Sequence, residues 1–206
     1  MFTGIVQAIG TVHSTTKTES GLRVSINPGD WDHQPKPGDS IAHNGCCLTL
    51  VAIEDGPDGE PIWIYDAIPE TIMKTTIGTW TKGQRINLER SLRMGDGLDG
   101  HQVQGHIDGV GTILSVSTTD EYRVRIGLAG FNMKWMIPKG SVAIDGTSLT
   151  IADLNQDEQW IEVTLIPETL ARTNLQDRTG ADGVNIEADA TVKTIVHTIE
   201  RMSSHP

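Results

Sequence analysis

Apolar and polar residues alternate in short runs along most of this chain, and one such run is written twice. Ser40-Ile41-Ala42-His43-Asn44-Gly45-Cys46-Cys47-Leu48-Thr49-Leu50 returns as Ser141-Val142-Ala143-Ile144-Asp145-Gly146-Thr147-Ser148-Leu149-Thr150-Ile151, at a constant offset of 101 residues. Asn-Gly and Asp-Gly supply the two positive φ angles of a type I′ turn, so each copy predicts a β-hairpin with a two-residue loop. That loop sets the register: His43 faces Cys46, Ala42 faces Cys47, Ile41 faces Leu48 and Ser40 faces Thr49. Side chains alternate with period two, which puts Ile41, His43, Cys46 and Leu48 on one face and Ser40, Ala42, Cys47 and Thr49 on the other. The second copy sorts the same way, Val142, Ile144 and Leu149 against Ser141, Ala143, Ser148 and Thr150. An oily face is core. The small, hydroxylated face has two readings, packing against another part of the chain or a cradle for a flat ligand, and its recurrence favours the cradle.

The repetition extends well beyond the hairpin. Gly4-Ile5-Val6-Gln7-Ala8-Ile9-Gly10-Thr11-Val12 is answered by Gly105-His106-Ile107-Asp108-Gly109-Val110-Gly111-Thr112-Ile113, again at 101. Ile68-Pro69-Glu70-Thr71 recurs as Ile166-Pro167-Glu168-Thr169 and Ile86-Asn87-Leu88-Glu89 as Val184-Asn185-Ile186-Glu187, both at 98, so three residues are lost between the second hairpin and position 166. Strand-like runs fill the remainder: Leu22, Val24 and Ile26; Ile62 to Tyr65; Val124 and Ile126; Trp160, Glu162 and Thr164. The acidic, Gly- and Pro-containing stretch 54–61 reads as a turn, and Met94-Gly95-Asp96-Gly97-Leu98-Asp99-Gly100 as the joint. A duplication of this size predicts two domains, residues 1–97 and 98–188, each a small antiparallel barrel that leaves little free strand edge. Only the end departs from the β pattern. Val192, Ile195, Val196, Ile199 and Met202 recur at steps of three and four, predicting an amphipathic helix from Asp189, its N-cap, to about Met202. Its apolar stripe folds back on its own barrel or packs against copies of itself.

Charge narrows the partners. With 16 Lys and Arg against 27 Asp and Glu, the net charge of −11 argues against nucleic acid and against an anionic membrane surface. Two adjacent cysteines, Cys46 and Cys47, point to opposite faces of one strand, fit a reducing compartment and cannot make a metal cage alone. The N-terminus shows no leader pattern and no run reaches the length of a membrane span, so the expectation is a cytoplasmic protein.

Five of these motifs, in order, carry a resemblance: Met1-Phe2-Thr3-Gly4, Asn44-Gly45-Cys46-Cys47-Leu48-Thr49, Gly105-His106, Asp145-Gly146-Thr147-Ser148-Leu149-Thr150 and Ile166-Pro167-Glu168-Thr169. On them the chain resembles the riboflavin synthase family over nearly its whole length. The resemblance implies an all-β fold of tandem six-stranded antiparallel Greek-key barrels with a C-terminal α-helix, residues 189–206, that holds a homotrimer. It implies an active site between the first barrel of one subunit and the second barrel of its neighbour. The implied reaction is the dismutation of two molecules of 6,7-dimethyl-8-ribityllumazine to riboflavin and 5-amino-6-ribitylamino-pyrimidinedione, a transferase step run without cofactor or metal. By the family's pattern the first cradle comprises Gly4, Ile5 and Val6; Cys47, Leu48 and Thr49; Asp66, Ala67, Ile68, Pro69, Glu70 and Thr71; and Gly105, His106 and Ile107, with Ser40 beside them. The second comprises Lys139; Ser148, Leu149 and Thr150; and Ile166, Pro167, Glu168, Thr169, Leu170 and Ala171.

Donor and acceptor lumazine undergo different chemistry, so catalytic asymmetry belongs where the halves differ: Ile5 against His106, Cys47 against Ser148, Gly38 against Lys139. The donor loses a proton from its acidic 7-methyl group and the acceptor is activated by a nucleophile at C7. Histidine is the side-chain type suited to proton transfer, and His106 is the candidate for moving protons; Cys47 and Ser148 are the candidate nucleophiles or polar partners. Each also has a structural reading: Cys47 as a small buried hydrophobe, His106 as a hydrogen-bonder, Lys139 as a solvated lysine. His43 and His101 read as structural or exposed. The rival class is a non-catalytic lumazine- or flavin-binding chromophore protein on the same frame.

Overall fold

The computed structural model describes residues 1–204, so the last two positions of the expected helical segment 189–206 lie outside the described residues. Two closed barrels of six antiparallel strands make up the body. In the first, β1 (Ala8–Thr18), β2 (Gly21–Asn27), β3 (Ser40–His43), β4 (Cys46–Asp55), β5 (Pro61–Ala67) and β6 (Arg85–Arg90) run in the order β1-β2-β5-β4-β3-β6. The second repeats that order with β7 (Gly109–Ser117), β8 (Tyr122–Gly127), β9 (Ser141–Ile144), β10 (Thr147–Asn155), β11 (Trp160–Leu165) and β12 (Gly183–Ala188). Both hairpins have the register that their turns dictate, with Ser40 opposite Thr49 and Ser141 opposite Thr150. Asn44 and Asp145 both hold φ at 44°, followed by Gly45 at 79° and Gly146 at 76°. The missing three residues come from one turn: Glu54 pairs with Ile62 across seven residues in the first barrel, Asn155 with Trp160 across four in the second.

The oily faces point inward. Ile41, Leu48, Trp63, Tyr65, Ile86 and Leu88 fill one barrel, and Val142, Ile144, Ile151, Ile161, Val184 and Ile186 fill the other. The first core also encloses His43, whose Nδ1 lies 3.0 Å from the Ile41 carbonyl oxygen and whose ring meets the Tyr65 ring edge-on at 4.2 Å. Burial pushes its imidazole down to about 3, so it is neutral and structural.

Helix α3 (Ala190–Ser203) begins where expected, the Asp189 side chain accepting the Thr191 N–H at 2.7 Å. Two further helices were not expected. Within Ile68–Thr71 and its repeat, α1 (Pro69–Lys74) and α2 (Pro167–Arg172) each make less than two turns and bury no residue. Six residues are too few for a 3.6-residue period to register in sequence, and the one local signal is proline at the first helical position. No described helix is long and apolar enough to cross a membrane.

A buried polar junction joins the barrels. The two hairpin turns meet backbone to backbone: a Cβ on Gly45 would lie 2.7 Å from the Gly146 nitrogen, and one on Gly146 would lie 2.6 Å from the Gly45 nitrogen. Around them Asn87 and Asn185, from the last strand of each barrel, cross over. Asn87 Nδ2 donates to the Asp145 carbonyl at 2.9 Å while Asn185 Nδ2 donates to the Asn44 carbonyl at 2.8 Å. Their Oδ1 atoms accept the N–H groups of Asn174 and Thr76, each at 2.8 Å. The symmetry breaks at two points: the second barrel places the Arg178 guanidinium 2.5 Å from Asp145 Oδ2, and Asn174, where the first half has Thr76, donates its Nδ2 to Asn44 Oδ1 at 3.0 Å. Behind the tips, Ala42 and Ala143 pack with Phe2 and Val103. Part of the small hairpin face therefore serves packing, as one of its two readings held.

Asn185→Ala strips partners from the Asn44 carbonyl and the Thr76 N–H, both on buried residues, at about 1–3 kcal/mol for each orphaned group. Chemical denaturation is expected to show a loss of roughly 3 kcal/mol with the m-value unchanged; a loss within error of zero would mean the crossed amides do not hold the barrels together.

Candidate active site

Each barrel's hairpin is covered by the lead-in segment of the other barrel. The Cys47 N–H donates to the Gly105 carbonyl at 2.9 Å and the Ser148 N–H to the Gly4 carbonyl at 2.7 Å. Phe2 and Val103 pair as an antiparallel bridge between the two lead-ins. This revises the grouping expected from sequence: Gly105, His106 and Ile107 do lie on the first hairpin, but Gly4, Ile5 and Val6 lie on the second. Two-fold symmetry of the repeat supplies the reason, since a lead-in that crosses one way in one half must cross the other way in its copy. Both crossings require glycine. Gly4 (φ 74°) and Gly105 (φ 82°) occupy the left-handed region, and a Cβ on them would sit 2.7 Å from Ser148 Cβ and 2.5 Å from Cys47 Cβ.

Buried carboxylates hold the two crossings in place. Glu89 accepts the N–H groups of Thr3 and Gly4 at 2.6 and 3.0 Å, and the Thr3 hydroxyl at 2.8 Å. Glu187 accepts the N–H groups of Gln104, Gly105 and His106 at 2.7, 2.9 and 3.0 Å. Burial raises both carboxyls, that of Glu187 to about 7.

The crossings give each cradle a different set of reactive groups. Over the first hairpin lie Cys47, half-buried, and His106, exposed and next in chain to the glycine stacked on Cys47. The buried neighbour Cys46 points into the core, its thiol pushed up to about 12 by burial first and by Cys47 and Glu187 after it. Over the second hairpin lie Ser148 and Ile5, in a cavity of about 160 Å³ lined also by Thr147, Glu168, Thr169, Arg172 and Thr173. His101 joins them, its Nδ1 2.7 Å from Ser148 Oγ. Burial lowers the pKa of His101, which favours the neutral ring; its Nδ1 shares a hydrogen bond with Ser148 Oγ whose direction follows the ring tautomer, and its buried Nε2 has no partner among the described residues. Sequence reading set His101 aside. Its signal was positional: His101 stands in the joint, where the first half has no counterpart, and unmatched positions are where two similar halves become unlike.

The other expected residues surround these two centres. Leu48 and Ala67 are buried in the first core and Ile107 packs against it; Leu149 and Leu170 pack against the second. Thr49 and Thr150 are exposed and Ser40 half-buried on the small faces. Asp66 is engaged by Arg23 through two hydrogen bonds of 2.8 and 2.9 Å, which hold its carboxyl below the usual range. Pro69, Glu70 and Thr71 lie on α1, and Pro167, Glu168, Thr169 and Ala171 on α2, where Arg172 pairs with Glu168. Ile68 and Ile166, at the equivalent helix starts, are 56% and 61% exposed, large apolar groups at the cradle rims. Lys139 is exposed with φ at 62°, the counterpart of Gly38 at 97°.

The family model for the lumazine binding domain matches the chain twice, over residues 3–91 and 104–189. The chain is 36% identical to the riboflavin synthase of Mycobacterium tuberculosis (strain ATCC 25618 / H37Rv) over 197 residues, covering 95% of this chain and 96% of that one. It is 38% identical to that of Buchnera aphidicola subsp. Schizaphis graminum over 205 residues, covering 98% and 95%. Among solved structures it is similar to LumP complexed with riboflavin, at 27% identity and a TM-score of 0.80 over 91% of this chain and 99% of that one.

Gly105→Ala tests the crossing. Gly38 also holds a positive φ but has nothing within 4 Å of a Cβ, so Gly38→Ala carries backbone strain alone, about 1 kcal/mol. Gly105→Ala adds the collision with Cys47 and is expected to lose roughly 3 kcal/mol in thermal or chemical unfolding; equal losses in the two variants would contradict the close approach.

Proposed function

The chain belongs to the riboflavin synthase family, and from that premise we propose how its own residues divide the work between two substrate molecules. The reaction joins two identical lumazines: one gives a four-carbon unit to the other, and riboflavin and the ribitylamino-pyrimidinedione together contain every atom of the two substrates. The protein's task is therefore to hold two like rings in register and to move protons between unlike positions on them.

The division of labour rests on one observation, that a duplicated frame carries Cys47 and His106 at one cradle and Ser148 with His101 at the other. In our reading the second cradle holds the acceptor. Ser148 Oγ, its proton drawn toward His101 Nδ1, adds at C7 of the ring or directs a water there. The first cradle then holds the donor, whose 7-methyl proton passes to His106, with Cys47 as polar partner to the ring edge. Main-chain groups of Cys47–Thr49 and Ser148–Thr150, with the hydroxyls of Ser40, Thr49 and Thr150, bind ring and ribityl chain. Asp66 to Thr71 close the side of the first cradle, and Ile166 to Ala171 with Lys139 that of the second.

In this reading the two rings meet between copies, the first cradle of one subunit against the second of its neighbour. Ile5, Ile68 and Ile166 at the rims and Ile195, Ile199 and Met202 on α3 are all exposed apolar groups, and no residue of α3 is buried. These features support a homotrimer joined through α3, with the first barrel of one subunit against the second of its neighbour. We set the domain boundary at 97/98, between the Glu89 and Glu187 crossings, and the protein in the cytoplasm, consistent with its two free cysteines. LumP, solved in complex with riboflavin, shares the frame; the paired reactive groups at both cradles favour catalysis here over binding alone.

His106→Gln is expected to lower kcat for riboflavin formation by on the order of 10²-fold while leaving riboflavin binding, followed by fluorescence, nearly intact. Cys47→Ser is expected to be milder, because Ser148 stands at the equivalent place. Near-normal turnover in the His106 variant would return that side chain to a structural role.

Ending the chain after Asp189 is expected to give folded barrels that sediment as monomers and form no riboflavin. An active trimer from the shortened chain would remove α3 from the interface.

A further inference from the structure

The two crossings look alike but are secured differently. At the first, Glu89 has a hydroxyl donor in Thr3, and Gln7 Oε1 accepts the Arg90 N–H at 3.0 Å nearby. At the second, Gln104 replaces Thr3, so Glu187 receives main-chain N–H groups alone, and Asp108 replaces Gln7. Asp108 Oδ2 accepts the Ala188 N–H at 2.9 Å, while its Oδ1 lies 2.5 Å from Lys193 Nζ on the first turn of α3. Lys193 is itself held 5.5 Å over the Trp135 ring. A line of hydrogen bonds thus runs from the C-terminal helix through Lys193 and Asp108 to the Ala188 N–H, next in chain to Glu187, whose carboxylate fixes the His106 main chain and feels the charges of both Asp108 and Lys193. The first barrel has no such line, since the chain after β6 continues into the joint.

We propose that Glu187 is a positioning residue for His106 and that the Asp108–Lys193 pair couples its carboxylate to the C-terminal helix; the first part rests on the role given to His106 above. A carboxylate accepts three N–H groups, whereas a protonated carboxyl has given up part of that capacity to its own O–H. The segment 104–106 is therefore held tightly when Glu187 is charged and loosely when it is neutral. The charged groups that act on it are Asp108, on the lead-in to β7, and Lys193, on α3; the Cys46 thiol of β4, turned into the first core, feels the Glu187 charge and stays protonated. Burial is the main force raising Glu187 to about 7, opposed by the N–H groups and by Lys193 and assisted by Asp108. The sign follows: order in segment 104–106 rises with pH through the neutral range and falls as Glu187 takes up a proton.

Two substitutions outside the cradles separate this from a merely structural role, because they act in opposite directions. Lys193→Met removes a cation that favours the carboxylate and is expected to move the transition to higher pH. Asp108→Asn removes an anion that disfavours it and is expected to move the transition to lower pH, each by on the order of half a unit. The readouts are the hydrogen-exchange protection of the Gln104, Gly105 and His106 amides and the acid limb of kcat, both followed from about pH 6 to 8 on the full-length protein. Lys193→Arg restores the charge and is expected to restore the original midpoint. Glu187→Gln, if it folds, loses the pH dependence of protection altogether. Opposite displacements in protection support the coupling; shifts of one sign, or protection that does not change with pH, overturn it. If protection shifts as expected but kcat does not, the tether stands and the catalytic role of His106 falls.

Discussion

The close approach of two hairpin turns, Gly45 on Gly146, is the contact on which the rest of this molecule depends. No side chain fits between them, so what secures the junction must reach around the glycines, and Asn87 and Asn185 do so from the neighbouring strands. Each amide satisfies one carbonyl of the opposite turn and one N–H beyond it, leaving neither end unpaired in a dry interface. The residues that make the turn also make the junction. Asn44 and Asp145 are chosen locally because they tolerate positive φ, and their side chains then accept the N–H groups of Asn87 and Asn185 at 2.8 and 2.9 Å.

With the tips fixed, the lead-in segments have one way to go. Phe2 and Val103 pair across the pseudo-two-fold axis, and Gly4 and Gly105 pass over the hairpin of the other barrel. In the division of labour proposed above, the chemistry depends on small departures from symmetry upon a frame that enforces it. His106 for Ile5, Ser148 for Cys47, and a joint that brings His101 to Ser148 but has no counterpart in the first half make two cradles of one shape and different reactivity. Such a division suits a reaction whose two substrates are the same molecule. Glu89 and Glu187 follow the same rule, alike in what they hold and unlike in which charges surround them.

How much of this was legible follows from the range of each signal. Period-two alternation and Asn-Gly or Asp-Gly turns are local, and they specified both hairpins down to residue pairs such as Ile41 with Leu48. The recurrence of Ile86-Asn87-Leu88-Glu89 was also visible, but its reason was not. Asn87 and Glu89 alternate with Ile86 and Leu88 as on any half-exposed strand, and nothing local says that both polar side chains are buried against the other barrel. His101 was passed over for a similar cause, because the burial and the serine that give it a function come from residues far along the chain.

The sequence by itself therefore determined the β-class, the duplication, the hairpin registers and the C-terminal helix, since each is set by neighbours a few residues apart or by repetition. Tertiary structure alone decided that Gly4 to Val6 lie on the second hairpin, that His101 rather than His43 meets a hydroxyl, and that the strand carrying Glu187 is tied through Ala188 and Asp108 to Lys193 of α3. Those outcomes depend on which segments the chain brings together across the two-fold axis, and a one-dimensional pattern carries no information on the direction in which two similar halves cross.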